Sequence, residues 1–241
     1  MGKYRGVILH KDSYRTTKWS GGFTTELAIA PENSLYRDRN FLWRVSSASV
    51  ETGESMFTSL PDYNRIILTL KGEIRLSHNG GKWISLPEYE PHFFDGGDET
   101  RSVGRVTDFN LMMRKGKCIG EVKVLEPGTF PQKASRDLKE LFGGQKPSEI
   151  VFLYCAQGEI QIGLRENEEK KIELQEGDSL MFEYIKKSEQ TDSIKISYQE
   201  PFQSSEAVTK IEDIDIMAES EPEWAGRGIL VAASVRISQE Q

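Results

Sequence analysis

Along most of the chain apolar and polar residues alternate one by one, the period of a strand that turns one face to a core. The clearest runs lie at 65–70, 73–76, 150–154, 159–163, 193–198 and 231–237. A helical period stands out once, over 135–142, where Leu138, Leu141 and Phe142 make an apolar stripe. Ser135 can cap its start and Gly143-Gly144 stops it. The pattern predicts a mostly β protein with a single short helix between two halves.

Those halves echo each other. RIILTLKGEIRL at 65–76 matches VFLYCAQGEIQI at 151–162, an apolar strand, then Gly-Glu-Ile, then a second strand, with Gly72 and Gly158 in step. Further on, Ile84-Ser85-Leu86 matches Ile172-Glu173-Leu174, and Phe93-Phe94 matches Met181-Phe182, with two residues inserted in the second copy. Strand, glycine turn, strand, polar loop, strand, then an acidic turn such as Glu176-Gly177-Asp178 resembles the rhythm of a cupin. Two copies make a bicupin, two β-barrel or sandwich halves in which glycine supplies the turns and closure removes the edges. The expected division is an N-terminal cupin-like half with the ligand pocket at 1–125, a linker with the short helix at 126–144, and a C-terminal cupin-like half at 145–241.

Charge narrows the choice of partners. Lys and Arg number 31 against 38 Asp and Glu, a net −7, and the basic residues are scattered, so the footprint of a nucleic-acid binder is missing. Apolar runs such as 229–233 fall far short of the roughly 20 residues that span a bilayer. The opening MGKYRGVILHKD has neither a signal-peptide core nor, with Gly6, a myristoylation pattern, which points to the cytoplasm. Cys118 and Cys155 sit in separate apolar strands and read as buried free thiols. Association of two copies as a homodimer is left open.

Metal-binding cupins gather a His-x-His pair, a Glu and a later His into one shell. This chain has three histidines. His10 is near the start, His78 lies in the turn Ser77-His78-Asn79-Gly80-Gly81 and reads as solvated, and His92 precedes Phe93-Phe94-Asp95. No two stand close enough to make the pattern, so no metal, no other cofactor and no catalytic residue is expected.

The polar positions inside strands carry more information. Alternation puts Arg44, Ser46 and Ala48 on one face, Arg65 with Ile67 and Thr69 on another, and Asp108, Asn110, Met112 and Arg114 on a third. Arginines turned toward a core are costly unless paired. Internal carboxylates such as Asp108 and Glu26 could satisfy them, or a ligand could. The guanidinium fork suits a carboxylate, each charge-assisted bond contributing about 1.5–3 kcal/mol. Arg44, Ser46, Arg65, Asp108, Asn110 and Arg114, with Thr25, Thr69 and His92, are therefore the candidate ligand-binding set. A self-contained salt-bridge network is the structural alternative. Trp19-Ser-Gly-Gly-Phe-Thr-Thr-Glu26 allows either close backbone approach to a ligand or a bulge with a packed Trp.

Taken together, several segments resemble the HutD/Ves family of bicupins associated with histidine utilisation. They are Trp19 to Glu26, Trp43-Arg44-Val-Ser46-Ser-Ala48-Ser-Val50, Phe57 with Tyr63-Asn-Arg65 and Leu68-Thr-Leu70-Lys-Gly72, Phe94-Asp95-Gly96, and Asp108-Phe-Asn110-Leu-Met112-Met-Arg114. The likeness covers 19–114; the later half shares only strand and turn pattern. It departs at Ser20, where many members have Asn. The resemblance implies a binding or regulatory protein rather than an established enzyme, with urocanate, formylglutamate or formate as ligands. Two other readings stay open. One is a metal-independent isomerase or epimerase in which His92, Asp95 and Asp108 meet around a substrate carbon. The other is a partner protein that docks through the acidic stretch 211–223.

Overall fold

The computed structural model describes residues 3–31, 33–142, 150–163, 171–185, 208–214 and 223–238. The strands up to the helix are β1 (Lys3–Leu9), β2 (Arg15–Trp19), β3 (Gly22–Ala30), β4 (Trp43–Val50), β5 (Glu54–Met56), β6 (Tyr63–Gly72), β7 (Ile74–His78), β8 (Ile84–Leu86), β9 (His92–Asp95), β10 (Thr100–Val103), β11 (Val106–Arg114) and β12 (Cys118–Leu125). After α1 (Pro131–Phe142) come β13 (Ile150–Gly163), β14 (Lys171–Gln175), β15 (Ser179–Ile185), β16 (Val208–Ile214) and β17 (Glu223–Ile237). The acidic stretch thus begins in β16, and 215–222 lie outside the described residues, as do 193–198.

Two compact units result. The first is built on Tyr14–Ile119 and has a six-stranded sheet, β2-β3-β4-β11-β6-β9, and a four-stranded sheet, β5-β10-β7-β8. Val50, Ile67, Phe94 and Val106 from one sheet and Ile74, Leu76 and Leu86 from the other share a single buried cluster, so the sheets pack face to face. Both sheets are open, ending at β2 and β9 and at β5 and β8. This corrects the expectation of a closed barrel: charged and short edge strands protect the rims instead.

The second unit combines Met1–Ser13 with Gly120–Ser193 and Glu200–Ile237 in a sheet of order β12-β17-β13-β15-β1-β16, with β14 on β13. The units therefore differ from the linear division at 125 and 145. Strand β1 pairs antiparallel with both β15 and β16, which places the first residues in the later unit. Helix α1 starts earlier than expected and is no free linker, because Ala134, Leu141 and Phe142 are buried in this unit's core with Tyr4, Val151, Leu153 and Phe182. Leu138's side chain lies outside the described residues.

The repeat holds at the level of register. Gly72 (φ 91°) faces the Arg105 carbonyl, where an added Cβ would lie 2.6 Å from the oxygen, and Gly104 (φ 136°) faces that of Glu73 at 2.2 Å. Gly158 and Gly226 face the carbonyls of Arg227 and Glu159 in the same reciprocal way, at 2.2 and 2.3 Å. Glycine is required where two backbones approach this closely. Ile74 opposes Leu86 as Ile160 opposes Leu174, and Arg65 opposes Phe94 as Val151 opposes Phe182. A bulge precedes each turn at the matching place, at Leu70 in β6 against β11 and at Ala156 in β13 against β17.

Candidate functional site

The six-stranded sheet of the first unit walls a cavity of about 640 Å³, within the range of small-molecule sites. Strand β4 lies between β3 and β11, and β11 between β4 and β6. Alternate residues of these neighbours point to the same side. That side carries Thr24 and Glu26 from β3, Arg44, Ser46 and Ala48 from β4, Asp108, Asn110 and Met112 from β11, and Arg65 from β6. Trp19, Tyr36 and Phe57 supply aromatic walls, and Arg15 and Arg37 add further cationic lining.

Arg44 and Arg65 are both buried and are satisfied in different ways. Arg44 donates from Nε to Glu26 Oε2 at 2.7 Å and from Nη1 to Ser46 Oγ at 2.9 Å, and it lies over the Tyr36 ring. Glu26 is thus the internal counter-ion that the sequence allowed. Arg65 is only 6% exposed, its side chain makes no hydrogen bond or ion pair among the described residues, and its Nε has no partner. It lies against the rings of Phe57 and Phe94, at 4.9 and 5.0 Å from their centroids, which stand 6.0 Å from each other. Burial lowers its pKa to about 10, so it stays charged at neutral pH. Stacking on π faces stabilises a desolvated cation without using its forked N–H donors.

Asp108 is 5% exposed. Its Oδ1 accepts the Ala48 backbone N–H at 3.2 Å, and burial pushes its pKa up to about 7 against the opposing pull of that hydrogen bond and of Arg65 and Arg44. Asn110 Oδ1 is buried without a partner. The cavity therefore presents an unpaired cation, an unpaired amide and an acid that ionises near neutrality, beside aromatic faces.

Of the nine expected site residues, the cavity gathers Arg44, Ser46, Arg65, Asp108 and Asn110. The other four lie elsewhere. Thr25 points to the opposite side of β3 and meets Thr16 Oγ1 at 2.9 Å, while its neighbour Thr24 lines the wall. Thr69 is fully buried beneath β8, its hydroxyl directed at the Leu86 carbonyl. Arg114, at the end of β11, donates to the carbonyls of Phe41 and Arg39 and to Tyr63 Oη, an anchor for the 39–41 loop.

His92 pairs with His78, Nε2 to Nε2 at 3.0 Å, with the two rings stacked. His78 is therefore not a solvated turn residue: its Nδ1 lies 2.9 Å from Thr100 Oγ1, and burial lowers the pKa of both histidines. Asp95 is held by Lys115, so His92, Asp95 and Asp108 do not meet around one point. No group of three or more His, Cys, Asp or Glu positioned to hold a metal ion occurs among the described residues, and no described helix is long and apolar enough to cross a membrane.

Gly21 and Gly22 serve packing, since a Cβ on Gly21 would strike the Trp19 ring and one on Gly22 the Ser49 carbonyl. Tyr36 and Arg37 are wall residues to which sequence reading assigned no part, and Phe57 entered it only through the family resemblance. Tyr36 and Arg37 come from a 3₁₀ turn in the β3–β4 connection that carries no periodic signal.

The HutD family model matches residues 11–197. The chain belongs to the HutD family. A curated relative, Protein Ves of Cronobacter sakazakii, is 32% identical over 110 residues, which are 44% of this chain and 58% of that protein, less than two thirds of its length. HutD from Pseudomonas fluorescens SBW25, solved in a formate condition, has a TM-score of 0.60 at 16% identity, over 97% of this chain and 100% of that one. A conserved protein of unknown function from Pseudomonas aeruginosa PAO1 has a TM-score of 0.63 at 18% identity, over 95% and 98%. At these identities the structural likeness shows a shared fold, and membership of the HutD family rests on the sequence match.

Proposed function

We propose that this HutD-family chain is a metal-free cytoplasmic binding protein for a small carboxylate, with a regulatory role in histidine utilisation. The ligand is seated in the first unit's cavity against Arg65. The observation that carries this reading is Arg65 itself, a buried cation at the wall of a 640 Å³ cavity with no anion in hydrogen-bond reach. A carboxylate would take up its free N–H donors, and Asn110 would orient the rest of the molecule. Aromatic walls favour a flat or compact ligand, as urocanate, formylglutamate and formate are. The formate condition of the Pseudomonas fluorescens HutD structure makes formate a natural first probe.

Calorimetric titration with these three compounds tests the reading. Arg65→Ala should weaken binding by about 1.5–3 kcal/mol, roughly ten- to a hundredfold. Arg44→Ala should also weaken it and should lower stability, because Glu26 loses its partner. Thr25→Ala, which leaves the cavity wall untouched, should bind as wild type does. Equal affinity for Arg65→Ala and wild type would make Arg65 a structural residue and remove the basis for the proposal.

A further inference from the structure

A cavity suited to a carboxylate has a carboxyl group of its own in the wall. Asp108 has one oxygen on the Ala48 N–H, and the other makes no hydrogen bond among the described residues. Two guanidinium groups are near, yet neither forms an ion pair with it. Arg44 of β4 is engaged by Glu26 of β3 and by Ser46, and Arg65 of β6 lies against two phenylalanine rings. The other ionisable groups of the lining are Tyr36, over which Arg44 lies, and the arginines 15 and 37. Around Arg65, then, one positive charge is available. If both Asp108 and a bound carboxylate were ionised they would share it at short range in a buried site, the situation in which one of two carboxyl groups keeps its proton.

We propose that Asp108 works as the un-ionised acid when the cavity is filled, so that capture of a carboxylate takes up one proton from solution. This rests on the carboxylate reading above and adds to it how the site responds to pH. The acid's O–H then points a donor at the bound anion, and the trio around Arg65 is neutral: guanidinium, ligand carboxylate, carboxylic acid. Burial already holds Asp108 close to half-ionised near pH 7, so the step draws on an acid poised for it. Affinity for a carboxylate rises as pH falls through neutrality and levels off in acid. Above neutrality it drops by up to about tenfold per pH unit, the limit for one coupled proton.

Formate is the suitable probe because it has no group that titrates between pH 5.5 and 8.5, whereas the imidazole of urocanate does. Wild-type protein is titrated with formate, and in parallel with formylglutamate, at pH 5.5, 7 and 8.5. At each pH two buffers of different ionisation enthalpy are used, so that the difference in heat counts protons. Uptake approaching one proton per ligand at pH 8.5 and near zero at pH 5.5 is expected. Asp108→Asn, which keeps an acceptor for the Ala48 N–H, is expected to bind at every pH without proton uptake and with affinity independent of pH.

Binding by wild type without proton uptake at pH 8.5 overturns the inference while leaving the carboxylate site standing. Uptake that persists in Asp108→Asn overturns it as well. Failure of wild type to bind either probe at any pH strikes the carboxylate reading itself, and the inference falls with it. Should Asp108→Asn not fold, the wild-type two-buffer measurement decides the matter alone.

Discussion

Arg65 in β6 and Val151 in β13 occupy the same place in two copies of one strand pattern, each opposite a phenylalanine, Phe94 in one unit and Phe182 in the other. The correspondence extends along the neighbouring strands. Thr69 opposes Asp108 where Cys155 opposes Leu230, and Ile67 opposes Asn110 where Leu153 opposes Ala232. In the later unit Val151, Leu153, Cys155, Leu230 and Ala232 all lie in one buried apolar cluster. In the first unit the matching face carries Arg65, Asp108 and Asn110 and walls a cavity. Backbone register is thus independent of what the sheet encloses. A few side chains decide whether the same strands close over a hydrocarbon core or leave room for a polar guest.

The largest effect should come from moving the arginine across the repeat. Val151→Arg places a charge in the later unit's buried apolar cluster, at a cost of about 4–5 kcal/mol or more. The variant is expected to be insoluble or unfolded at room temperature. A soluble variant with a urea midpoint near wild type would break the comparison.

The converse exchange should be mild. Arg65→Met replaces a buried unpaired cation by a side chain that still packs on Phe57 and Phe94, so unfolding free energy in urea should be unchanged or higher by about 1–2 kcal/mol. Formate binding should weaken by roughly ten- to a hundredfold, as for Arg65→Ala.

The smallest effect concerns His92, whose counterpart in the later unit is Leu180. Both His78 and His92 have pKa values lowered by burial, so the unfolded chain binds protons that the folded one does not. Stability present above about pH 6.5 is lost as pH falls toward the folded values. Partial exposure keeps the contribution below about 1 kcal/mol. His92→Gln should flatten the melting temperature between pH 7 and pH 5 relative to wild type.

Much of this was legible in the sequence. Period-two alternation placed Arg44 with Ser46 and Ala48, and Asp108 with Asn110 and Met112, because β4 and β11 pair with each other without a register shift. The Gly-Glu-Ile repeat carried the register from one unit to the other. What failed had local causes. Thr25 is one residue out of step with the wall that Thr24 and Glu26 form. Thr69 shares Arg65's face, but β8 covers it. Arg114 lies where β11 ends and its side chain is free to fold back over Tyr63. The His78–His92 pair joins strands of different sheets, and pairing between sheets leaves no trace in linear spacing.

Strand β1 carries a consequence for the order in which the molecule is assembled. Every described strand in the two sheets of the first unit lies between residues 15 and 114, so these strands have their described pairing partners as soon as this length of chain has left the ribosome. Strand β1 leaves before any of them, yet its partners are Ser179–Ile185 and Val208–Ile214, which emerge after all of them. Long-range pairing of this kind is slow, and an unpaired strand is prone to the wrong neighbours while it waits. The seven residues KYRGVIL therefore wait for partners that are made after the sheets of the first unit, with Arg5 on the strand as the kind of charge that discourages premature pairing.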